Sequence, residues 1–277
     1  MLTLFEISRL LRRGRLFAIG TISPELRGWA YQLPPVRPPA YLGLALSDFA
    51  YGYCPTMRNV YLRYVLGERG VATKPLLEGR ILHDTLSRAM EDYKLYALSG
   101  RPMSPRVEDV ADEFRPKAEV LYRHVAARLL GEHAYVVASG LARSRDAAAF
   151  YVAPMATNVA IDGSPLGLSY VVPDGITVGA VVEFKFGPSQ NVDVALAGYA
   201  MAVEAEYNVP IDYGIYVNIF VNNTVEYRTY VYYLNDQVRQ KFLQMRDRAI
   251  EIVTSKRDPG VAESCSKYCP FYHICHR

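Results

Sequence analysis

The spacing of apolar residues divides the chain into a helical first half and a strand-rich second half. From Met57 to about Leu130, apolar residues recur at three- and four-residue steps, which predicts helices that bury one face. Beyond Ala147, apolar residues alternate with polar ones or form short continuous runs, which predicts strands. The predicted strands cover residues 151–161, 166–172, 177–186, 211–221 and 225–234.

Two helices complete the prediction for the second half. One is an alanine-rich helix over residues 193–207, and the other is an amphipathic helix over residues 236–255. The order of these elements predicts an α/β fold in which a mixed central sheet is flanked by helices. Four regions are expected: a basic, proline-rich segment (1–47), a helical region (48–146), a sheet-bearing core (147–235), and a final helix followed by cysteines (236–277). Residues 48–277 are expected to form one structural unit.

The composition is that of an ordered globular protein. Hydrophobic residues make up 51% of the chain and charged residues 21%, and no apolar run reaches the roughly 18 residues that a membrane span requires. Glu6 stands where a signal peptide would carry basic residues, so we expect a cytoplasmic protein with no membrane partner. The net charge is +3. Arginine supplies 24 of the 31 basic residues, which suits phosphate contacts but is equally explained by genome composition.

One predicted strand carries a carboxylate and a lysine that point to the same side. Residues two apart in a strand share a face, so Glu183 and Lys185 project together. A short hairpin would bring Asp174 beside them, and the two carboxylates, with the Phe184 carbonyl, suit Mg²⁺. A lysine next to such an ion can orient the attacking water. A solvent-facing ion pair is the simpler interpretation, and Asp92-Tyr93-Lys94 matches the same pattern within a predicted helix.

A histidine and a tyrosine on predicted helices extend this set. His83 ends a Gly-x-x-x-His motif that starts at Gly79, and imidazole is a competent metal ligand. A lone helical histidine is more often an ordinary surface or core residue. Tyr199 lies on the helix that follows the Lys185 strand. Aromatic core filling is its simpler role in a chain with 22 tyrosines.

The four cysteines are unevenly placed along the chain. They are Cys54, Cys265, Cys269 and Cys275. This spacing differs from the paired Cys-x-x-Cys motifs of zinc ribbons, and a disulfide is disfavoured in a reducing cytoplasm. Unrelated buried cysteines are the remaining alternative, although chance would rarely place three of four in the last 13 residues. Four thiolates are what a cubane iron–sulfur cluster requires.

Together these motifs resemble the RecB-like nucleases of the PD-(D/E)xK superfamily, which have a restriction-endonuclease-like core. The implied roles fall on His83, Asp174, Glu183 and Phe184 as ligands of Mg²⁺ or Mn²⁺, Lys185 as the catalytic lysine, and Tyr199 as the substrate-side tyrosine. One position departs from the family pattern. The glutamine expected four residues before Tyr199 is Ala195 here.

The cysteine layout narrows the resemblance to the iron–sulfur branch, and within it to the CRISPR-associated Cas-four/Csa-one group. That group places one cysteine before the nuclease core and three after it, as Cys54 and the terminal trio stand here. The resemblance covers residues 48–277 and implies a [4Fe-4S] cluster on the four cysteines. It also implies an exonuclease that trims single-stranded DNA ends in CRISPR adaptation. The CRISPR integrase and its small partner would be its protein partners.

Two other functions fit the same residues. The first is a catalytically weak or inactive iron–sulfur scaffold that binds DNA for the adaptation complex, an alternative that Ala195 keeps open. The second is an electron-transfer module, which would not need Asp174, Glu183 or Lys185. For DNA binding we expect a narrow passage lined by arginines from helices, because the predicted sheet region has only two basic residues, Lys185 and Arg228. Three arginines are expected beside this passage: Arg58, Arg63 and Arg80.

Overall fold

A mixed β-sheet with helices on both faces forms the centre of the protein. The structure is a computed structural model that describes residues 2–18, 20–105 and 107–276. In these ranges the helices are α1 Leu4–Phe17, α2 Arg58–Tyr64, α3 Lys74–Ser99, α4 Arg115–Ala138, α5 Arg145–Val152, α6 Val192–Tyr207, α7 Asp236–Ser255 and α8 Tyr272–Cys275. The strands are β1 Gly175–Thr177, β2 Ala180–Phe186, β3 Tyr213–Val221 and β4 Val225–Tyr233. None of the described helices combines the length and the apolar character needed to cross a membrane.

The sheet has the strand order β1-β2-β3-β4. β2 and β3 are parallel, whereas β1 and β4 run antiparallel to their neighbours. A parallel pair needs a crossover connection, and α6 supplies it. Helices α1, α3, α4 and α5 pack on one face of the sheet, and α6 and α7 pack on the other. The predicted mixed sheet flanked by helices is therefore confirmed.

Two of the predicted strands are wrong. Residues 151–161 and 166–172 form no ladder, and isolated bridges pair Ala156 with Ile176, Ile161 with Val171 and Leu168 with Leu44. Ile161 and Val171 are buried in the core on the α6 side. The apolar pattern thus reflects a connecting segment that buries side chains and pairs its backbone only at single positions.

The start of this region is a helix that the apolar pattern did not predict. The Ser144 side chain accepts a hydrogen bond from the Ala147 N–H and so caps α5. Three consecutive alanines then favour the helical state. Gly163 opens a short 3-10 turn, Ser164–Leu166, between the two predicted strands. The predicted change from helix to strand near Ala147 therefore falls inside a helix. The Ser144 cap and the helix propensity of the alanines outweigh the strand-like apolar pattern at these residues.

The N-terminal segment contributes to the cores on both faces of the sheet. Helix α1 begins with a capping box between Thr3 and Glu6 and buries Ile7 among the residues that face α3 and α4. On the other face, Gly28 lies directly against α6. A Cβ atom at Gly28 would stand 1.8 Å from the Met201 carbonyl oxygen, so only glycine permits this approach.

A group of buried charges joins the N-terminal segment to α6 and α7. Glu204 and Arg239 are fully buried, with 2.7 Å between Glu204 Oε2 and Arg239 Nη1. Arg27 donates to Glu204 Oε1 at 2.7 Å and to Asp212 at 2.5 Å. Arg239 also donates to the carbonyl oxygens of Leu26, Ile211 and Leu234. These bonds replace the water that the charges lose on burial, so each charge is satisfied inside the protein.

Removing one member of this group should destabilise the whole fold. Glu204→Gln leaves the buried Arg239 guanidinium without its counter-charge, so we expect the free energy of unfolding to fall by about 3–5 kcal/mol. Glu119→Gln is the matched control, because it breaks an exposed ion pair with Arg123 on α4 and should cost less than about 1 kcal/mol. Denaturant unfolding of both variants measures the difference. Similar losses in the two variants would contradict the central role of Glu204.

Candidate functional site

The hairpin formed by β1 and β2 places Asp174 beside Glu183. The predicted strand over residues 177–186 is divided between these two strands, and the chain turns at Gly179. The antiparallel register then sets Asp174, which immediately precedes β1, opposite Glu183 in β2. The Asp174 carboxylate accepts a 2.6 Å hydrogen bond from the Phe184 backbone N–H. Phe184 therefore contributes its amide to this contact, whereas the sequence interpretation used its carbonyl.

Glu183 and Lys185 form an ion pair that is largely inside the protein. Both extend from the same face of β2, and the Lys185 ammonium donates to Glu183 Oε1. Only 3% of the Glu183 side chain and 23% of the Lys185 side chain are exposed. The interpretation as a solvent-facing ion pair is therefore excluded. Burying a carboxylate this far is costly and needs a local reason.

His83 approaches the same group from α3. Its Nδ1 atom lies 3.5 Å from Asp174 Oδ1. The imidazole meets the Phe186 ring edge-on, with 5.1 Å between the ring centroids, and this contact restricts its orientation. The structure thus brings together four residues that are distant in sequence: His83, Asp174, Glu183 and Lys185.

Tyr51 also belongs to this group, although the sequence pattern did not single it out. Its hydroxyl donates a 2.5 Å hydrogen bond to Glu183 Oε1, and the Lys185 ammonium lies 4.6 Å from its ring centroid. Tyr199 is buried and lies near Tyr51. Of these two tyrosines, Tyr51 is the one that contacts the Glu183 carboxylate.

The loop that carries Tyr51 is fixed by its contact with the start of α6. A Cβ atom at Gly52, where φ is +66°, would stand 2.6 Å from the Asn191 amide nitrogen. That amide donates to the Tyr51 carbonyl at 3.2 Å. The next tyrosine, Tyr53, stacks on Tyr51 with 5.3 Å between ring centroids. Nothing in the sequence separates Tyr51 from the other tyrosines except its place three residues before Cys54.

Burial and like charge dominate the electrostatics of the site. Burial, and then the neighbouring Asp174 carboxylate, raise the pKa of Glu183, while Lys185 and Tyr51 act against this rise. Burial disfavours the ammonium form of Lys185, but the Glu183 carboxylate outweighs it and raises the pKa of Lys185. Burial raises the pKa of Tyr51 and Tyr199 well above the usual value, so both are protonated at neutral pH. Mutually shifted groups of this kind are typical of functional sites.

The four cysteines lie near one another at a second place, although among the described residues no three of them stand close enough to bind a metal ion without some movement. All are free thiols and all are partly buried. Burial, followed by the neighbouring Cys269, Cys54 and Cys275, raises the pKa of the Cys265 thiol to about 11. The Arg58 guanidinium lies within hydrogen-bonding reach of Cys275. Crowding of four thiols would oppose their ionisation, and bound iron would relieve that opposition, so the set fits a thiolate-ligated cluster.

The cysteines meet because the C-terminal segment lies against the chain on either side of α2. Three contacts join these segments: Thr56 with Gly260 (2.9 Å), Arg58 with Asp258 (2.7 Å) and Val71 with Pro270 (2.9 Å). They connect residues about 200 positions apart without using a cysteine. The thiols are therefore held near one another by the protein itself.

Comparison with known proteins identifies the family. A family model described as CRISPR-associated exonuclease Csa1 matches residues 1–277. The chain belongs to the Csa1 family. A relative from Thermoproteus tenax is 65% identical over 276 residues, which cover 99% of both chains, and it is named CRISPR-associated exonuclease Csa1. A relative of the same name from Saccharolobus solfataricus is 31% identical over 272 residues, 92% of each chain. The resemblance to the Csa-one group is therefore confirmed.

In this Csa1-family chain, the group around Glu183 has the donors that a hard divalent ion prefers. The two carboxylates are close enough for Asp174 to raise the pKa of Glu183, a repulsion that a cation would relieve. Among residues 2–18, 20–105 and 107–276, no three His, Cys, Asp or Glu side chains are grouped closely enough to hold a metal ion as they stand. Tyr51 and Lys185 contact Glu183, and the Phe184 amide contacts Asp174. Metal binding therefore requires some of these partners to move.

Ala195 gives no direct contact to the site. It is fully buried in the core between the sheet and α7, and Gln190, the nearest glutamine, is exposed. The hydroxyl of Tyr51, on a different segment, donates to Glu183. A hydrogen bond to this carboxylate is thus available without a glutamine on α6.

Tyr51→Phe should raise the pKa of Glu183 further, because it removes a hydrogen bond to the ionised carboxylate while keeping the ring. The acid then stays protonated to a higher pH. Infrared titration of the protonated carboxyl band, in metal-free protein, measures this shift. Tyr53→Phe is the control, since that hydroxyl contacts Ser189 and should leave the titration unchanged. An unchanged Glu183 titration in Tyr51→Phe would show that the hydrogen bond has no such effect.

Proposed function

We propose that this chain is a divalent-metal-dependent deoxyribonuclease that removes nucleotides from single-stranded DNA ends during CRISPR adaptation. The observation that carries the proposal is the buried Glu183–Lys185 pair on one strand, with Asp174 and His83 beside it. The names of the two relatives support the exonuclease activity and the link to CRISPR. The CRISPR integrase and its small partner are the proposed recipients of the trimmed DNA.

The residues divide the work of phosphodiester hydrolysis, in which water adds to phosphorus and a P–O bond breaks. His83, Asp174, Glu183 and the Phe184 carbonyl would hold Mg²⁺ or Mn²⁺, which supplies an activated water and stabilises developing negative charge. Lys185 keeps its proton because its pKa is raised, so its ammonium can orient that water and contact a phosphate oxygen. Tyr51 holds the Glu183 carboxylate through its hydrogen bond, and the buried Tyr199 lies beside Tyr51.

We also propose that Cys54, Cys265, Cys269 and Cys275 hold a [4Fe-4S] cluster. Such a cluster would join the loop before α2 to the end of the chain, and closing so long a loop stabilises a fold. Tyr51 lies three residues before Cys54, so the cluster would also fix the loop that supports Glu183.

The second candidate is an iron–sulfur DNA-binding scaffold with little or no nuclease activity. Two observations favour it: Ala195 replaces the family glutamine, and both candidate carboxylates already have protein partners. Such a protein would bind DNA as well with Lys185 as without it. Both candidate functions therefore predict DNA binding, and only the nuclease predicts DNA cleavage.

Lys185→Met should lower the rate at which end-labelled DNA is cleaved by at least about 100-fold in the presence of Mg²⁺ or Mn²⁺, because the ammonium beside the reacting phosphate is lost. Lys94→Met is the matched control from the second acid-x-lysine sequence. There Asp92 accepts from Tyr122 and Lys94 donates to Thr157, so the two side chains diverge. This control should cleave like the parent. Single- and double-stranded substrates in parallel test the strand preference. No metal-dependent cleavage by the parent protein would favour the scaffold.

The cluster makes a separate prediction. Protein purified without oxygen should be brown and contain iron, and Cys54→Ser should lose iron, colour and thermal stability, because one of four ligands is gone. Ser264→Ala, one residue from Cys265 and exposed, is the control and should change none of these. Metal analysis and visible absorbance measure the outcome. Colourless protein with stoichiometric zinc, or a disulfide between two of the cysteines, would overturn the assignment.

A further inference from the structure

The face of the sheet that carries Glu183 and Lys185 continues across β3 and β4. Directly paired residues in a sheet project from the same face. Two rows result from the register of the strands: Glu183 with Tyr216 and Tyr230, and Lys185 with Asn218 and Arg228. Neighbouring strands are about 4.8 Å apart, so Tyr230 stands about 10 Å from the candidate metal ligand Glu183.

The outer part of this face is open to solvent. Tyr216 is buried beneath α6, but the Tyr230 ring, stacked on it with 5.6 Å between centroids, is 43% exposed. Arg228 is exposed and lies 5.6 Å above the Phe220 ring. Tyr53, stacked on Tyr51 above Lys185, is 60% exposed. We call Tyr53, Tyr230 and Arg228 the tyrosine surface.

The Tyr53 and Tyr230 rings both lie near Tyr216, which stands between Glu183 and Tyr230 in the sheet. Burial, followed by the neighbouring Tyr232 and Tyr230, raises the pKa of Tyr216, and Tyr53 and Glu183 contribute in the same direction. The surface is therefore continuous with the candidate nuclease site. Glu226, exposed on the next row outwards, would repel phosphate and so marks its outer limit.

Two of the three arginines expected to line a DNA passage are engaged by carboxylates, whereas the third, Arg80, is exposed. Arg58 makes a two-pronged ion pair with Asp258, and Arg63 pairs with Asp48. Phosphate would have to compete with these carboxylates. Arg228 has no such carboxylate partner among the ion pairs of the described residues. It belongs to the row that begins at Lys185, and its guanidinium lies over the Phe220 ring of the next row outwards.

We propose that the tyrosine surface binds the single-stranded DNA adjoining the scissile phosphate, with bases stacked on Tyr53 and Tyr230 and a phosphate on Arg228. This inference rests on the proposed function and deepens it by locating the substrate strand. Unpaired bases have free faces that can stack on aromatic rings whatever their sequence, and each stack contributes about 1–3 kcal/mol. Bases inside a duplex are already stacked and paired. The surface thus selects single strands by chemistry, without requiring a narrow channel.

The test is equilibrium binding of a fluorescein-labelled oligothymidine in EDTA, so that cleavage plays no part. Tyr53→Leu and Tyr230→Leu should each weaken binding on the order of tenfold, whereas Tyr53→Phe and Tyr230→Phe, which keep the ring, should stay within about twofold. Tyr135→Leu is the control, since this exposed tyrosine lies on α4, which packs on the opposite face of the sheet. Arg228→Gln should make the slope of log affinity against log salt concentration shallower by about the amount expected for the loss of one phosphate contact.

An abasic arm separates stacking from a change in protein shape. Two oligothymidines are compared with the intact one: the first lacks the three bases at its 5′ end and the second lacks the three bases at its 3′ end. One of the two should bind the parent protein more weakly than the intact oligonucleotide does. Tyr230→Leu should bind that abasic oligonucleotide and the intact one equally well. The proposal is overturned if both leucine variants bind like the parent, or if Tyr135→Leu loses as much affinity as they do. If binding does not depend on the rings but cleavage depends on Lys185, the proposed tyrosine surface is rejected and the proposed nuclease function stands. If binding depends on the rings but the protein does not cleave DNA, the nuclease function is rejected and the surface stands.

Discussion

The architecture depends on a carboxylate with no access to water. Glu204 lies within α6 and receives Arg239 from α7, Arg27 from the N-terminal segment, and the backbone N–H groups of Gly28 and Ile211. A charge buried to this extent tolerates no missing partner, so three distant parts of the chain must be present and aligned together. α6 is also the crossover between β2 and β3. The charge group therefore fixes the helix that sets the parallel register and covers the inner part of the face bearing Glu183.

The candidate site shows the opposite arrangement, because a bound cation could replace the groups that now satisfy its charges. Glu183 is held by a lysine and a tyrosine hydroxyl, and Asp174 by a backbone amide and a nearby imidazole. These contacts keep the buried acids stable in the absence of a cation. The structural ion pair Glu204–Arg239 and the candidate pair Glu183–Lys185 thus differ less in burial than in what surrounds them. The candidate pair has a second acid, Asp174, and exposed tyrosine rings nearby.

Elements with strong periodic patterns were predictable from the sequence, and elements decided by local chemistry were not. The sequence pattern located α6, β3, β4 and α7 to within about two residues, because each buries a regular stripe or run of apolar residues. It misread residues 145–172, where a serine cap and an alanine run form α5 and a 3-10 turn follows, in place of two strands.

For the site, residues on one element were easier to find than residues brought in by tertiary contact. Glu183 and Lys185 share a strand, so their common face followed from a period of two. Tyr51 comes from an irregular loop and enters the site only because Gly52 can pack against Asn191. The tyrosine surface depends on which strands are neighbours, and the chain order alone does not specify that. Tyr53 lies more than 170 residues before Arg228 and Tyr230 and shares no motif with them.

The contacts between residues 56–71 and 258–270 have a consequence for the order of events during synthesis. A ribosome releases Tyr51, Glu183, Lys185 and Asn191 well before it releases residues 258–270, which contact Thr56, Arg58 and Val71. The Asn191 contact can therefore position the Tyr51 loop while the end of the chain is still being made. The segment around α2 gains its long-range partners only in the last steps of folding. A chain interrupted before residue 258 would keep the groups around Glu183 and lose the contacts that bring Cys54 near the C-terminal cysteines.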